Sequence, residues 1–140
     1  MTFSKNVMLW RMLAAGWAAM ILFVLLVPGD SVPTLPYWPF PVPYDKTVHA
    51  VLFFVQAVFL RRSITVAEGG DRLFAAAAVA LATSSFGTST EVLQMLAVAR
   101  SASMLDAFAD LIGACAGAVL MYGLELRAIK KGGRPGGRPQ

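Results

Sequence analysis

The sequence predicts an all-α membrane protein, a bundle of four transmembrane helices. Three observations carry this expectation. Hydrophobic residues make up 57% of the 140 residues and charged residues only 14%, against roughly 25% charged in a soluble domain. The apolar residues gather into four segments, each near the length that crosses a bilayer core of about 30 Å. The charged residues collect at the segment ends or recur at helical spacing rather than scattering.

One domain is expected over residues 1–127, with helices at about 8–27, 45–61, 73–96 and 104–126. The first segment, Met8 to Val27, is broken only by Arg11. A cleaved signal peptide is the rival reading. The apolar stretch is long for one, and Val27-Pro28-Gly29-Asp30 is a poor cleavage site. The second segment has its apolar part at Thr47 to Leu60, between Asp45-Lys46 and Arg61-Arg62. It is short, so its flanking lysine and arginines are expected to snorkel. The third is alanine-rich and interrupted late by Glu91, and the fourth carries Asp106 and Asp110 near its start. Between the first two helices, residues 28–44 hold six of the eight prolines, interleaved with Tyr37, Trp38, Phe40 and Tyr44. Proline density opposes a helix, and aromatic residues settle at headgroup level, so an extended strap along the outer membrane surface is expected. The tail, 128–140, is expected to be disordered and cytoplasmic, since Lys, Arg, Gly and Pro bury no core. Its charge suits weak attraction to anionic lipid. Nucleic acid is not an expected partner, because no aromatic residues are interleaved with that charge.

The positive charges set the orientation. Lys5, Arg11, Arg61, Arg62, Arg72, Arg127, Lys130, Lys131, Arg134 and Arg138 fall on one side of a four-span chain, and only Lys46 and Arg100 on the other. The excess of basic residues marks the cytoplasmic side, so both termini are expected there.

Charged groups inside a membrane segment are costly and by default functional. At about 1.5 Å per helical residue, His49 lies roughly 16 Å above Leu60 and Glu91 roughly 27 Å above Leu73. Asp106 and Asp110 lie roughly 21–27 Å above Leu124 on the same rise. Three helices thus bring ionisable residues to the outer half of the bilayer. The spacings also align them, because residues three or four apart share a helix face. Asp45, His49, Leu52 and Gln56 form one stripe; Ser84, Gly87, Glu91 and Gln94 form a second; Asp106, Asp110, Gly113 and Gly117 form a third. Gly113 and Gly117 make a small-xxx-small face that lets helix backbones approach closely. The expected polar site is therefore Asp45, Lys46, His49, Glu91, Gln94, Arg100, Asp106 and Asp110. Structural alternatives stand beside it: pairing or snorkelling for Lys46 and Arg100, and helix capping for Asp106 and Asp110. Glu91 is expected to contact Arg100 or Lys46, with the guanidinium fork of Arg100 the better partner. The single cysteine, Cys115, has no disulfide partner and reads as a small core residue.

These residues, in this order, resemble the VanZ-like family: Asp45-Lys46-x-x-His49 opening the second helix, then Glu91-x-x-Gln94, Arg100, Asp106, Asp110, Gly113 and Gly117. The resemblance covers roughly Asp45 to Gly117. Two positions depart from the family pattern. Asp110 stands where the family usually has asparagine, and Val98-Ala99 stand where it often has Pro-Gly. The family takes its name from a protein associated with resistance to the glycopeptide antibiotic teicoplanin. The resemblance therefore implies a multi-pass protein of a bacterial cytoplasmic membrane, with a link to glycopeptide resistance.

Three functions remain open on the sequence. The outer polar residues can bind a cell-envelope component, such as a lipid-linked precursor or headgroup. They can act as an enzyme, with His49 or Glu91 in acid–base roles, although no nucleophile or cofactor motif is present. Or they can only fix helix register. No cofactor or metal is assigned, although Asp45, Glu91, Asp106 and Asp110 would suit a hard or borderline divalent cation. The oligomeric state is left open.

Overall fold

A computed structural model describes residues 6–26, 39, 41–66, 70–97 and 103–132. Among these residues the chain forms four α-helices and no strand. They are α1 (Val7–Leu25), α2 (Tyr44–Arg62), α3 (Arg72–Ala97) and α4 (Met104–Gly132). Three of them, α1, α3 and α4, are long and apolar enough to cross a membrane, and α2 is not among these three.

Local chemistry explains the boundaries. Pro43 precedes the first residue of α2, where its missing N–H costs nothing. Asp45 then sits in the first turn of α2 and Arg61 and Arg62 in the last, each favourable to the helix dipole. Tyr44, expected in the strap, is thus the first helical residue. At the start of α3, Asp71 Oδ1 accepts the Phe74 N–H at 3.0 Å. At the start of α4, Ser103 Oγ accepts the Asp106 N–H at 3.2 Å. Residues 128–132, expected in a disordered tail, continue α4 instead. Leu126, Arg127, Ala128, Lys130 and Lys131 are good helix formers, and the cations favour the C-terminal end of the dipole. Residues 133–140, and of the strap all but 39 and 41–44, lie outside the described residues.

The interior is built on α2 against α4. A Cβ on Gly113 would collide with the carbonyl oxygen of Ala50, and one on Gly117 would lie 2.6 Å from the Phe54 carbonyl oxygen. Only glycine permits that approach. α1 packs on α2 through Ile21 and Leu25 against Leu52 and Phe53, and Trp17 Nε1 donates to the Leu52 carbonyl at 3.0 Å. A second small cluster joins Ala57, Val79 and Ala118 of α2, α3 and α4.

The bundle buries many polar side chains beside its apolar clusters and is apolar outside, and Cys115, expected in the core, is exposed. Phe23, Phe74, Leu81 and Leu96 are each more than 70% exposed, while His49, Gln56, Arg61, Glu91, Asp106, Asp110 and Glu125 are buried. Buried polar residues and a large exposed apolar surface are the informative departures from a water-soluble pattern. The same inversion explains why α2 reads as too polar to span. Three of its polar residues, His49, Gln56 and Arg61, point inward, and Val51 is 54% exposed on the outside.

Candidate polar site at one end of the bundle

The C-terminal ends of α1 and α3 meet the N-terminal ends of α2 and α4. Two tiers of ionisable side chains lie there. In the upper tier, Lys46 Nζ pairs with Asp45 Oδ2 at 2.5 Å and also with Asp106 Oδ1. The Asp45 side chain is 49% exposed, that of Lys46 17% and that of Asp106 12%, so the tier opens to the surface through Asp45. One helical turn further in lie His49, Glu91 and Asp110, exposed by 5%, 5% and 0% respectively. His49 Nδ1 is 2.9 Å from Asp110 Oδ1. One ligand atom from each of these three residues lies within 4.8 Å of the others.

Backbone chemistry fixes both tiers. Ser103 and Asp106 have the spacing of a capping box, in which the third residue usually returns its side chain to the capping N–H. Here Glu91 Oε2 takes that N–H, accepting from Ser103 N at 2.9 Å. Asp106 is thereby released to pair with Lys46. Asp110 fits because Gly87 faces it: a Cβ there would stand 2.7 Å from Asp110 Oδ2. Thr90, buried beside Glu91, donates from Oγ1 to the Gly87 carbonyl at 2.7 Å.

The expected site residues divide into three groups. Asp45, Lys46 and Asp106 form one charge cluster, and His49, Glu91 and Asp110 the other. Gln94 serves elsewhere: its Nε2 donates to the Leu25 carbonyl at 2.7 Å, closing the C-terminal end of α1. Arg100 lies outside the described residues, and with it the expected Glu91–Arg100 contact. The alternative partner for Glu91, Lys46, is engaged by Asp45 and Asp106 instead. The Lys46 ammonium lies between Asp45 and Asp106, two of the four acids that would suit a divalent cation.

Two buried carboxylate oxygens, Glu91 Oε1 and Asp110 Oδ2, accept no hydrogen bond from the described residues. Such atoms are rare in folded proteins and costly. One imidazole and two carboxylates meet in the inner tier, a donor set chemically suited to a proton or a cation.

Sequence reasoning missed three features. Ser103 had a signal, the Ser-x-x-Asp spacing before an apolar run. The inner face of α3 runs through Thr83 and Thr90, which are buried, whereas Ser84 is only half-buried and returns its Oγ to the Ala80 carbonyl. At the opposite end of the bundle, Arg61 does not snorkel: its Nη2 donates to Glu125 Oε2 at 2.6 Å, with side-chain exposures of 5% and 10%. Extending the stripe Asp106, Asp110, Gly113, Gly117 by two further steps of four reaches Glu125. No family model matches the chain, and no curated protein or solved structure is significantly similar to it.

Proposed function

We propose that the chain is a VanZ-like protein of a bacterial cytoplasmic membrane, with four spans and both termini in the cytoplasm. On this reading its outer-end polar site binds a cell-envelope component, a lipid-linked precursor or a headgroup. The observation that carries the proposal is the meeting of ionisable side chains from three helices at one end of a bundle whose outside is apolar. Such residues are expensive in a membrane and mark binding or transport sites. Lys46 offers an ammonium to an anionic group, and the half-exposed Asp45 beside it offers a carboxylate to an amine. α2 completes the fourth span when its polar residues face its partners and its apolar ones face lipid.

Binding is tested on protein in nanodiscs of phosphatidylglycerol and phosphatidylethanolamine, by native mass spectrometry with an added lipid-linked cell-wall precursor. The precursor is expected to be retained over phosphatidylglycerol. Lys46→Gln with Asp106→Asn is expected to weaken retention about tenfold, or 1.4 kcal/mol, at unchanged helical content. Equal retention of both lipids would overturn the binding reading. A purely structural role, favoured by the Lys46–Asp106 and His49–Asp110 links between α2 and α4, would instead cost stability and leave retention untouched.

Orientation is tested by membrane-impermeant thiol labelling in a Cys115→Ser background. Thr2→Cys and Gln140→Cys are each expected to be protected in intact cells and labelled after lysis. Labelling of either from outside would reverse the topology.

A further inference from the structure

We propose that His49, Glu91 and Asp110 form a site for one divalent transition-metal cation of the zinc or manganese type. The three residues come from α2, α3 and α4, and their ligand atoms lie within 4.8 Å of one another. Metal–ligand bonds of about 2.1 Å place neighbouring ligand atoms about 3 Å apart around an octahedral ion and somewhat further around a tetrahedral one. The 2.9 Å between His49 Nδ1 and Asp110 Oδ1 is already of that order, so small side-chain rotations suffice to close a shell.

Independent of the clustering, two oxygens point to a missing partner. Glu91 Oε1 and Asp110 Oδ2 are buried without a hydrogen bond from the described residues, on residues only 5% and 0% exposed. Glu91 has its second oxygen held by the Ser103 N–H at 2.9 Å, as carboxylate ligands are when outer hydrogen bonds steer them. Asp110 Oδ1 meets His49 Nδ1, a contact between two members of the set that a bound ion would replace. A divalent cation would neutralise the two carboxylates at a depth where an uncompensated charge is costly.

Charge and ligand type select the ion. One imidazole and two carboxylates form a mixed nitrogen–oxygen set, which suits zinc or manganese better than calcium or magnesium, and lacks the thiolates that favour softer metals. The upper tier is not part of the site, because Lys46 occupies the space between Asp45 and Asp106.

His49 is the chain's single histidine, which makes the test direct. Full-length protein without a polyhistidine tag is purified in detergent, stripped with chelator, given Zn²⁺ or Mn²⁺ and desalted. One equivalent of metal is expected to remain, with a rise in thermal midpoint. Pulsed electron paramagnetic resonance of the Mn²⁺ form is expected to show coupling to an imidazole nitrogen, altered on ¹⁵N-histidine labelling. Glu91→Gln and Asp110→Asn are each expected to weaken binding about 100-fold, at or beyond the loss that follows from removing an outer-sphere partner. Asp71→Asn, at the start of α3 and outside the cluster, is expected to leave binding unchanged. Wild-type protein that retains no metal, or manganese without nitrogen coupling, would overturn the site. So would retention that survives both carboxylate substitutions. The nitrogen signal is read on wild-type protein, so it decides even where a variant does not fold. Metal binding without precursor retention, or the reverse, separates this site from the envelope-binding reading.

Discussion

Arg61→Leu is expected to lower the stability of the folded bundle by about 3–5 kcal/mol, the cost of stranding one member of a buried ion pair. The guanidinium donates from Nη2 to Glu125 Oε2 at 2.6 Å and from Nη1 to the Ile64 carbonyl at 3.2 Å. Its loss leaves a carboxylate on α4 that is nearly closed to solvent. Glu125→Leu is expected to be comparably damaging, since it leaves the buried arginine, among the described residues, with only the Ile64 carbonyl. The pair itself is a different quantity. Two charges removed together leave nothing to desolvate, and apolar replacement of a whole buried pair is often neutral or better. Arg61→Leu combined with Glu125→Leu is therefore expected to recover most of the loss of either single variant. Unfolding in detergent, followed by circular dichroism, gives the cycle. Additive losses would show that the two residues do not couple.

Gly113→Ala is expected to be nearly as severe, although it adds only one methyl group. The new Cβ would meet the carbonyl oxygen, carbonyl carbon and Cα of Ala50. These are backbone atoms in the middle of α2, with no rotamer through which to retreat. The helices must separate, and the cost is expected at about 3 kcal/mol, the upper end for overpacked sites. Moving α4 from α2 also separates Asp110 from His49, so occupancy of the inner tier is expected to fall with stability. Gly16→Ala provides the contrast. Nothing lies within 4 Å of a Cβ at that position, and alanine is favoured over glycine in a helix interior by roughly 0.8–1.0 kcal/mol. That variant is expected to be neutral or stabilising in the same melts. A Gly113→Ala protein as stable as wild type would mean that α2 and α4 are not in backbone contact there.

Much of this architecture is legible residue by residue. The stripe Asp106, Asp110, Gly113 and Gly117 is buried throughout its length, because side chains three and four apart must share a face. The polar residues of three helices gather at one end because short connections force an up-and-down chain to return its ends together. The ends of elements were harder to read. α4 runs on to Gly132 because lysine and arginine are good helix formers that suit a C-terminal turn. α2, expected at about 45–61, runs from Tyr44 to Arg62, with its charged first and last turns inside the helix.

Periodicity and composition alone determined that the chain is helical, that at least three of its helices are long and apolar enough to cross a membrane, and which side chains share a face. They act within one helix, where spacing fixes direction. Partners were decided by the tertiary structure. Glu91 takes the Ser103 N–H and so frees Asp106 for Lys46; Asp110 turns to His49; Gln94 closes the end of α1; Arg61 meets Glu125. Each choice depends on which helix lies beside which and on rotations about helix axes. A carboxylate finds several cations and N–H groups within a turn of its height, and ångström-scale packing, set here by Gly87, Gly113 and Gly117, selects among them.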